Sequence, residues 1–475
     1  MTTLNHLWQR TTAGLSEQLT DNSLVSQLWA HSHLTKAALP LQSDARRLNA
    51  LLKACRRLSV PPSRRWLNAQ LKPFVAGPKK HVALCERVGW EQYDNQFGQL
   101  RKRTPINQSL VVKAPGPRGE KGVLYISFEY NWMKLIANYD AAAILKDYYI
   151  VGQSSWSPTD YASLIPYAGI SSDPLFIGVS NFADIEPLGI LRPVIEPLPI
   201  LASDWNDPDH FKPKPYRDRT IDIVMVANWS RAKRHWLLFE ALRDMPRNLR
   251  VVLIGRNAPD GTERDILAQA RAFGAPQDIE LHTNLETNEV STYLCNARIS
   301  TIFTKREGSC VAVTESFFAD TPVAIIEEGQ IGSKAYINEQ TGVLVQRRGL
   351  ARQLQRFLEE SERYTPREWA MENISCVKTS ERLNYTLRQW ALRTGRPWTT
   401  DIVPFCWRYV PRYLHAVDKL RLSTAVQELG RKYGLTIDEF PGERAAARAK
   451  AQQPPAFTET SATATAGSDS SSIPA

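Results

Sequence analysis

The stretch TKREGSCVAVTESFFADTPVAII, residues 304–326, carries two glutamates eight positions apart, Glu307 and Glu315, ahead of a Thr-Pro turn and an apolar run. The residues around it give the pair an address. ISTIFTK (299–305) reads as a buried strand, CVAVTESFFA (310–319) as a helix and PVAIIE (322–327) as the next strand. Glu307 and Gly308 therefore stand at the carboxyl end of a strand, just ahead of a helix. Gly308 lets the backbone turn tightly and approach a ligand closely. Ser309 can cap the helix, whose first N–H groups and positive dipole end suit a phosphate. Were the whole interval helical, Glu315 would lie roughly 12 Å further along the axis than Glu307.

The alternation of strand and helix extends to both sides. IDIVMVAN, LRVVLIG, IELHTN and TGVLVQ read as further strands, and RHWLLFEALRDM, ERDILAQARAFG, NEVSTYLCNA and LARQLQRFLEES as helices. Together they predict a doubly wound lobe over residues 216–360, in which ligands bind outside the carboxyl ends of the strands. A first block over 106–215 has the same texture. Its strands are SLVVKA, GVLYISF, YYIVGQ, PLFIGVSN and PVIEPLPI, with NWMKLIANYDAAAILKD and TDYASLIPYAG as helices between them. Residues 1–105 read as mainly helical, LNHLWQRTTAGLSEQL and SDARRLNALLKACRRL having apolar residues at helical spacing, with Pro61-Pro62 and Gly77-Pro78 as breaks. Residues 361–440 are again helical, rich in Trp, Arg and Tyr. Residues 441–475 hold few large apolar side chains, so disorder is expected there.

Composition narrows the function classes. No run of eighteen apolar residues occurs, and the first residues lack a basic segment followed by an apolar one, so neither a membrane span nor a secretory signal is expected. The six cysteines form no CxxC pair, which argues against a zinc site and a disulfide framework and for a cytoplasmic protein. A net charge of +10 favours anionic partners. Much of the excess lies in residues 41–80, where Arg46, Arg47, Lys53, Arg56, Arg57, Arg64, Arg65, Lys72, Lys79 and Lys80 face Asp44 alone. That stretch reads either as a solvated helical surface or as a peripheral contact with an anionic membrane. Nucleic acid is not expected, because no recognisable motif or interleaved aromatic platform accompanies the charge.

One carboxylate at the mouth of a site and one deeper would suit a ligand with hydroxyls at both ends and phosphates between, the layout of a nucleotide sugar. At these residues the block 219–360 resembles the donor-binding half of a GT-B glycosyltransferase of retaining family 4, also called glycosyl transferases group 1. EGSCVAVTE (307–315) is similar to the family's E-x7-E element, FFADTPVAI to the turn after it, NEQTGVLVQ to a later stretch and ANWSRAKRHWLLFEAL (227–242) to the first loop and helix. The resemblance implies an α/β protein of two Rossmann-like lobes, GT-B type, with helical N-terminal and C-terminal additions. It implies transfer of a sugar from a nucleotide diphosphate sugar to a glycan or lipid-linked acceptor, with retention and with no metal or other cofactor. Glu307 and Lys233 would be catalytic, the first on the hydroxyls of the transferred sugar and the second on the leaving diphosphate. Glu315 would bind the donor ribose, and Gly308 and Ser309 would offer backbone N–H groups. Asn228 stands where the family often has an arginine, and Arg231 or Arg234 are candidates to replace that cation.

The first block resembles the family less. Glu129, Tyr130 and Asn131 follow the strand GVLYISF and are expected to open on the acceptor side of the cleft. Asn228 and this atypical block motivate one alternative, a non-catalytic binder of nucleotide sugars or glycans; a nucleotide-sugar epimerase of GT-B architecture is a second. Asp207-Pro208-Asp209 mimics a metal motif but sits in a Pro-rich connection, so it reads as a turn. Cys310 and His235 read as structural.

Overall fold

The structure, a computed structural model, describes residues 23–55, 57–76, 106–157, 161–170, 173–408 and 410–438, with Thr11, Leu84, Val88, Thr159 and their few described neighbours besides. The helix expected at 4–19 (apart from Thr11), Arg56, Lys79, Lys80 and the tail from 441 lie outside the described residues.

Two α/β lobes make up the chain. In the first, β1 (Ser109–Lys113), β2 (Gly122–Ser127), β3 (Tyr148–Gln153), β4 (Leu175–Val179) and β5 (Ile195–Leu201) pair in chain order. Only the β1–β2 pairing is antiparallel. In the second, β6 (Ile221–Val226), β7 (Val251–Gly255), β8 (Ile279–Thr283), β9 (Ala297–Ile302), β10 (Val323–Ile326) and β11 (Gly342–Val345) form a parallel sheet in the order β11-β10-β9-β6-β7-β8. All eleven strands fall on the apolar runs picked out in the sequence. Such runs mark strands covered on both faces.

The helical additions supply much of that cover in the first lobe. Side chains alternate along β2, so Leu124 and Ile126 point one way and Val123 and Tyr125 the other. Leu124 and Ile126 join the core that contains the N-terminal helices Ser23–Ala38, Asp44–Cys55 and Pro61–Val75. Val123 and Tyr125 join Leu383, Leu387 and Ala391 of the helix Cys376–Arg393. Both additions are thus bound into the first lobe. At the N-terminal side, Arg64 forms a buried ion pair with Asp184, and Asn68 donates to the carbonyl of Pro187. At the C-terminal side, Lys113 pairs with Glu120 at 2.7 Å, and Glu120 also accepts from Thr399. Burial alone would raise the Glu120 carboxyl, but the hydrogen bonds from Lys113 and Thr399 outweigh it and hold it down to about 2. Asp173 is gripped by Lys121 at 2.6 Å and by Arg396 at 2.5 Å.

Four local expectations change. Pro61 and Pro62 do not break a helix; they open one, occupying first-turn positions where a missing N–H costs nothing. TDYASLIPYAG forms two short 3-10 turns, at Tyr161–Ser163 and Ile165–Gly169, with Pro166 inside the second. The region after residue 361 is not wholly helical: β12 (Phe405–Arg408) and β13 (Val410–Tyr413) form an antiparallel hairpin. The basic stretch is not uniformly solvated either, since Arg64 is buried and Arg65 pairs with Glu186. Among the described residues no helix is long and apolar enough to cross a membrane.

The chain leaves the first lobe through β5 and a buried turn, Ala202–Trp205. It returns when Cys376 N–H donates to the Asn206 carbonyl at 2.9 Å and Thr379 donates to the Asp204 carbonyl at 2.9 Å. Asn206 also reaches Thr314 of the second lobe at 2.8 Å, and Tyr336 donates to Asp204 at 2.7 Å. The chain therefore crosses between the two lobes twice, at neighbouring points.

Candidate functional site

The strand order of the second lobe reverses between β6 and β9. Loops leaving two strands on either side of such a point diverge and open a crevice at their carboxyl ends. The loop after β6 carries Asn228 and Lys233, and the loop after β9 carries Glu307, Gly308 and Ser309. Both line a cleft of about 540 Å³ between the lobes, within the usual range for small-molecule sites.

The first loop is held by side-chain caps. Asn228 Oδ1 accepts from Ser230 N–H at 3.3 Å, and Ser230 Oγ accepts from Ala232 N–H at 3.3 Å. Asp260, in the loop after β7, accepts from both Ser230 Oγ and Arg231 N–H. Arg234 then adopts a left-handed conformation (φ 55°) that turns the chain into the helix His235–Leu242. Its guanidinium donates to the Phe303 carbonyl and to Glu328, both at 2.6 Å. Lys233 is thereby fixed between two anchored neighbours, and its Nζ lies 2.8 Å from Glu307 Oε1. Sequence reasoning named both residues, and the fold brings them into contact from 74 positions apart.

The second loop differs from the expectation in two respects. Gly308 is needed for close packing, not for a left-handed turn. A Cβ there would meet the Ser155 carbonyl oxygen of the first lobe at 2.5 Å. Ser309 does not cap the helix Val311–Phe318. The N-cap is Cys310, at φ 55° and with no side-chain cap bond. Ser309 instead accepts at its carbonyl from Ser333 N–H at 3.1 Å, and Gly308 accepts from Gly332 N–H at 2.7 Å. Glu307 therefore sits in the loop, and Glu315 is buried on the helix behind it, on the cleft wall. Val311 and Ala312, the first residues of that helix, also line the cleft. Burial raises the Cys310 thiol well above its ordinary range, and the neighbouring Glu307 adds to the shift, which suits a small core residue and not a nucleophile.

The acceptor-side residues divide. Glu129 is buried, and its carboxylate accepts from Ser155 N–H at 3.0 Å and Ser155 Oγ at 2.6 Å. It holds Ser155, which lines the cleft, without lining the cleft itself. Tyr130 donates to Gln108, and Asn131 donates to the Ser127 carbonyl at 2.8 Å. Neither side chain is on the cleft wall. Their place is taken by Phe128, which stacks on Tyr130 at 5.7 Å and meets Trp407 of the β12–β13 hairpin at 5.8 Å. Arg306 reaches across from the second lobe to the Ser157 carbonyl at 2.8 Å and lies over the Trp156 ring.

Arg231 is exposed and outside the cleft lining, and Arg234 is committed to Phe303 and Glu328. Neither lines the cleft beside Asn228. Arg256, directly after β7, lines the cleft with Asn257, Thr287 and Val290. None of these four was singled out from sequence, although the rule that ligands gather at strand carboxyl ends applied to Arg256 directly. His235 is buried against Trp229, and burial followed by the nearby Lys233 charge lowers its imidazole to about 3, so it is neutral. Asp207 caps a 3-10 turn, Pro208–His210, through the N–H of Asp209, as the turn reading expects.

Residues 206–370 match the sequence model of the family described as Glycosyl transferases group 1. No curated protein sequence matches the chain. Among solved structures the chain is similar to HepE (Alr3699) of Anabaena, solved in complex with UDP, at 12% identity and a TM-score of 0.45, over 56% of this chain and 78% of that one. It is similar to sucrose-phosphate synthase of Thermosynechococcus elongatus at 15% identity and a TM-score of 0.44, over 68% and 80%. The span matched by the family includes Lys233, Glu307 and Glu315.

Proposed function

We propose that this chain is a retaining glycosyltransferase of family 4 that moves a sugar from a nucleotide diphosphate donor to a glycan or glycolipid acceptor. The observation that carries the proposal is the meeting of Lys233 and Glu307 at the switch point of the second sheet, with Glu315 buried behind them on the same cleft wall. On this reading the donor lies along the carboxyl ends of β6 and β9. Glu315 accepts hydrogen bonds from the ribose hydroxyls. Lys233, Arg256 and the start of the helix Val311–Phe318 balance the diphosphate as it departs, the electrostatic work that phosphate loss demands. Glu307 binds hydroxyls of the transferred sugar. These cations and the helix start carry the leaving-group charge with no metal required. Arg256 also bears on the choice between catalyst and mere binder, because it supplies a cation to the cleft that Asn228 does not.

A second surface supports peripheral contact with an anionic membrane. Leu24, Val25, Leu28, Trp29 and Trp66 are exposed on the N-terminal helices, with Arg46, Lys53, Arg57 and Lys72 exposed on the same helical block. Apolar side chains among cations suit an anionic bilayer surface. Sedimentation with anionic vesicles at rising salt tests this contact; no binding even at low salt removes it.

The donor reading is tested by binding of UDP, GDP, ADP, CMP and their common sugars, followed by thermal shift, with Glu315→Ala alongside. A ligand at a hundred times its Kd stabilises by about 2.7 kcal/mol. One base is expected to raise the melting temperature, and the variant to lose the shift. A flat response from folded protein refutes the reading.

A further inference from the structure

We propose that the first-lobe wall of the cleft is an acceptor subsite that takes a carbohydrate ring by its apolar face, formed by Phe128, Trp156 and Trp407, with Ser155 as its hydrogen-bond acceptor. This deepens the glycosyltransferase reading and rests on it.

Three independent features converge there. Phe128 directly follows β2 with φ 66° and ψ 136°, a conformation that bulky side chains rarely adopt. Its N–H is tied to the Gln153 carbonyl at 3.1 Å, and its ring is stacked on Tyr130. Strain of this kind is held by its surroundings and gathers at ligand sites. Trp407 arrives from a separate element, the β12–β13 hairpin, and its ring lies 5.8 Å from that of Phe128. The hairpin is seated on the first lobe: Tyr413 donates to the Val111 carbonyl at 2.8 Å, and Phe405 stacks on Trp205 at 4.3 Å. Trp156 is a cleft residue left 44% exposed, with the Arg306 guanidinium 5.4 Å from its ring centre.

The polar groups beside these rings choose among ligands. Ser155 gives its hydroxyl hydrogen to Glu129 at 2.6 Å, so its oxygen offers only lone pairs to the cleft. It can accept a hydrogen bond from a substrate hydroxyl and cannot donate one. A pyranose presents C–H groups on its faces and hydroxyl donors around its rim. Such a ring matches an aromatic wall edged by a hydroxyl acceptor, the mixture of apolar lining and a few placed polar groups that gives small-molecule sites their orientation. An alkyl chain would use the rings and leave the Ser155 lone pairs unsatisfied. Val311, which opens the helix behind Glu307, packs against the same aromatic cluster. The subsite therefore adjoins the donor residues.

The test is calorimetric titration of the full chain, with and without saturating UDP, against maltose, cellobiose, N,N′-diacetylchitobiose and lactose, and against decyl phosphocholine as an alkyl probe. The proposal expects at least one disaccharide to bind. Trp407→Ala and Trp156→Ala should each weaken that binding at least tenfold, with Trp407→Phe intermediate. UDP affinity, which the second lobe carries, serves as the control in each variant. Trp156 is exposed enough for its truncation to leave folding intact, so the test stands even if Trp407→Ala misfolds. Three results overturn the subsite while leaving the donor reading in place: UDP bound but no disaccharide bound, disaccharide binding unchanged by Trp156→Ala and Trp407→Phe, or binding of the alkyl probe alone. Absence of binding by any nucleotide tested would instead sink the reading on which it rests.

Discussion

Gly308→Ala is the substitution that most directly tests the seam between the lobes. The added Cβ would sit 2.5 Å from the Ser155 carbonyl oxygen, whereas ordinary contact begins at 3.4 Å. The opposing atom is backbone, so no side chain can swing aside; one loop must give by about 0.9 Å. Two anchors resist this. The Gly308 carbonyl is held by Gly332 N–H at 2.7 Å, and Ser155 is held through two hydrogen bonds by Glu129. Forcing one extra carbon into such a contact costs about 1–3 kcal/mol. The larger effect falls on transfer, because the displaced loops carry Glu307 on one side and the proposed acceptor wall on the other. A misplacement of about 1 Å between reacting groups can cost on the order of a hundredfold in rate. The assay compares nucleotide affinity with transfer rate. Affinity should change little, since alanine keeps the N–H and the donor residues share one lobe, while kcat should fall about a hundredfold. Gly332→Ala, whose Cβ would lie closer still to the Ser180 carbonyl oxygen, should behave alike. Unchanged kcat in both variants refutes the argument that this seam sets the spacing of the two walls.

Other residues make separate predictions. Arg256→Ala should weaken the nucleotide diphosphate that the donor screen selects about tenfold, equivalent to about 1.4 kcal/mol, and leave the affinity for its nucleoside unaltered; equal losses for both ligands would deny it a phosphate role. Arg64→Met should destabilise by about 3–5 kcal/mol, because it strands the fully buried Asp184, and should expose the N-terminal helices to limited proteolysis, whereas a wild-type cleavage pattern would contradict this. Burial raises the Asp204 carboxyl from 3.8 to about 6, against hydrogen bonds from Leu201 N–H and the Tyr336 hydroxyl. The folded chain thus keeps a proton that the unfolded chain has released, a contribution present below pH 4 and lost as pH rises through 6. The stability of Asp204→Asn relative to wild type should grow across that window by about 3 kcal/mol, and parallel pH profiles would show that Asp204 ionises normally.

The second lobe was legible because its strands are short apolar runs, its helices have one apolar face, and each loop begins where a run ends. Glu307 and Lys233 could be placed on strand ends by that logic without knowing which strands were neighbours. Their contact depends on the β6–β9 pairing, which joins Ala297 to Ile221 and Ser300 to Val224, and pairing over such distances leaves no local trace. The first-lobe wall was hidden for the same reason. Glu129 was chosen for its position after a strand, yet its carboxylate turns to Ser155, 26 residues away. Trp407 could not be assigned to the cleft because FCWRYVPRY, with a proline and two arginines, lacks the clean alternation of a half-buried hairpin. Its register, Trp407 opposite Pro411 and Phe405 opposite Tyr413, is set by the first lobe on which it rests. Ser309 was a reasonable cap by residue type, but the tight approach of Gly308 to Ser155 and the bond from Ser333 N–H to the Ser309 carbonyl pass the N-cap to Cys310.

On the proposed reading, the Lys233–Glu307 pair also explains how one site would serve both donor binding and chemistry. Its side chains are 17% and 24% exposed, and ion pairs with this access to water contribute roughly 0–1 kcal/mol. Separating them therefore costs little. A diphosphate offers Lys233 more negative charge than one carboxylate, and Arg256 and the helix start reinforce it, so the lysine would exchange partners as the donor enters. Glu307 is then released beside the transferred sugar. Its second oxygen, Oε2, is buried and has, among the described residues, no hydrogen-bond partner beyond the weak donor of the neighbouring Cys310 thiol, so a sugar hydroxyl would satisfy it better than the protein does. The exchange gives each group a new partner: the cation passes to the phosphates, and the carboxylate accepts hydrogen bonds from the sugar hydroxyls. On the proposed reading, the salt bridge keeps both side chains in register until the donor replaces it.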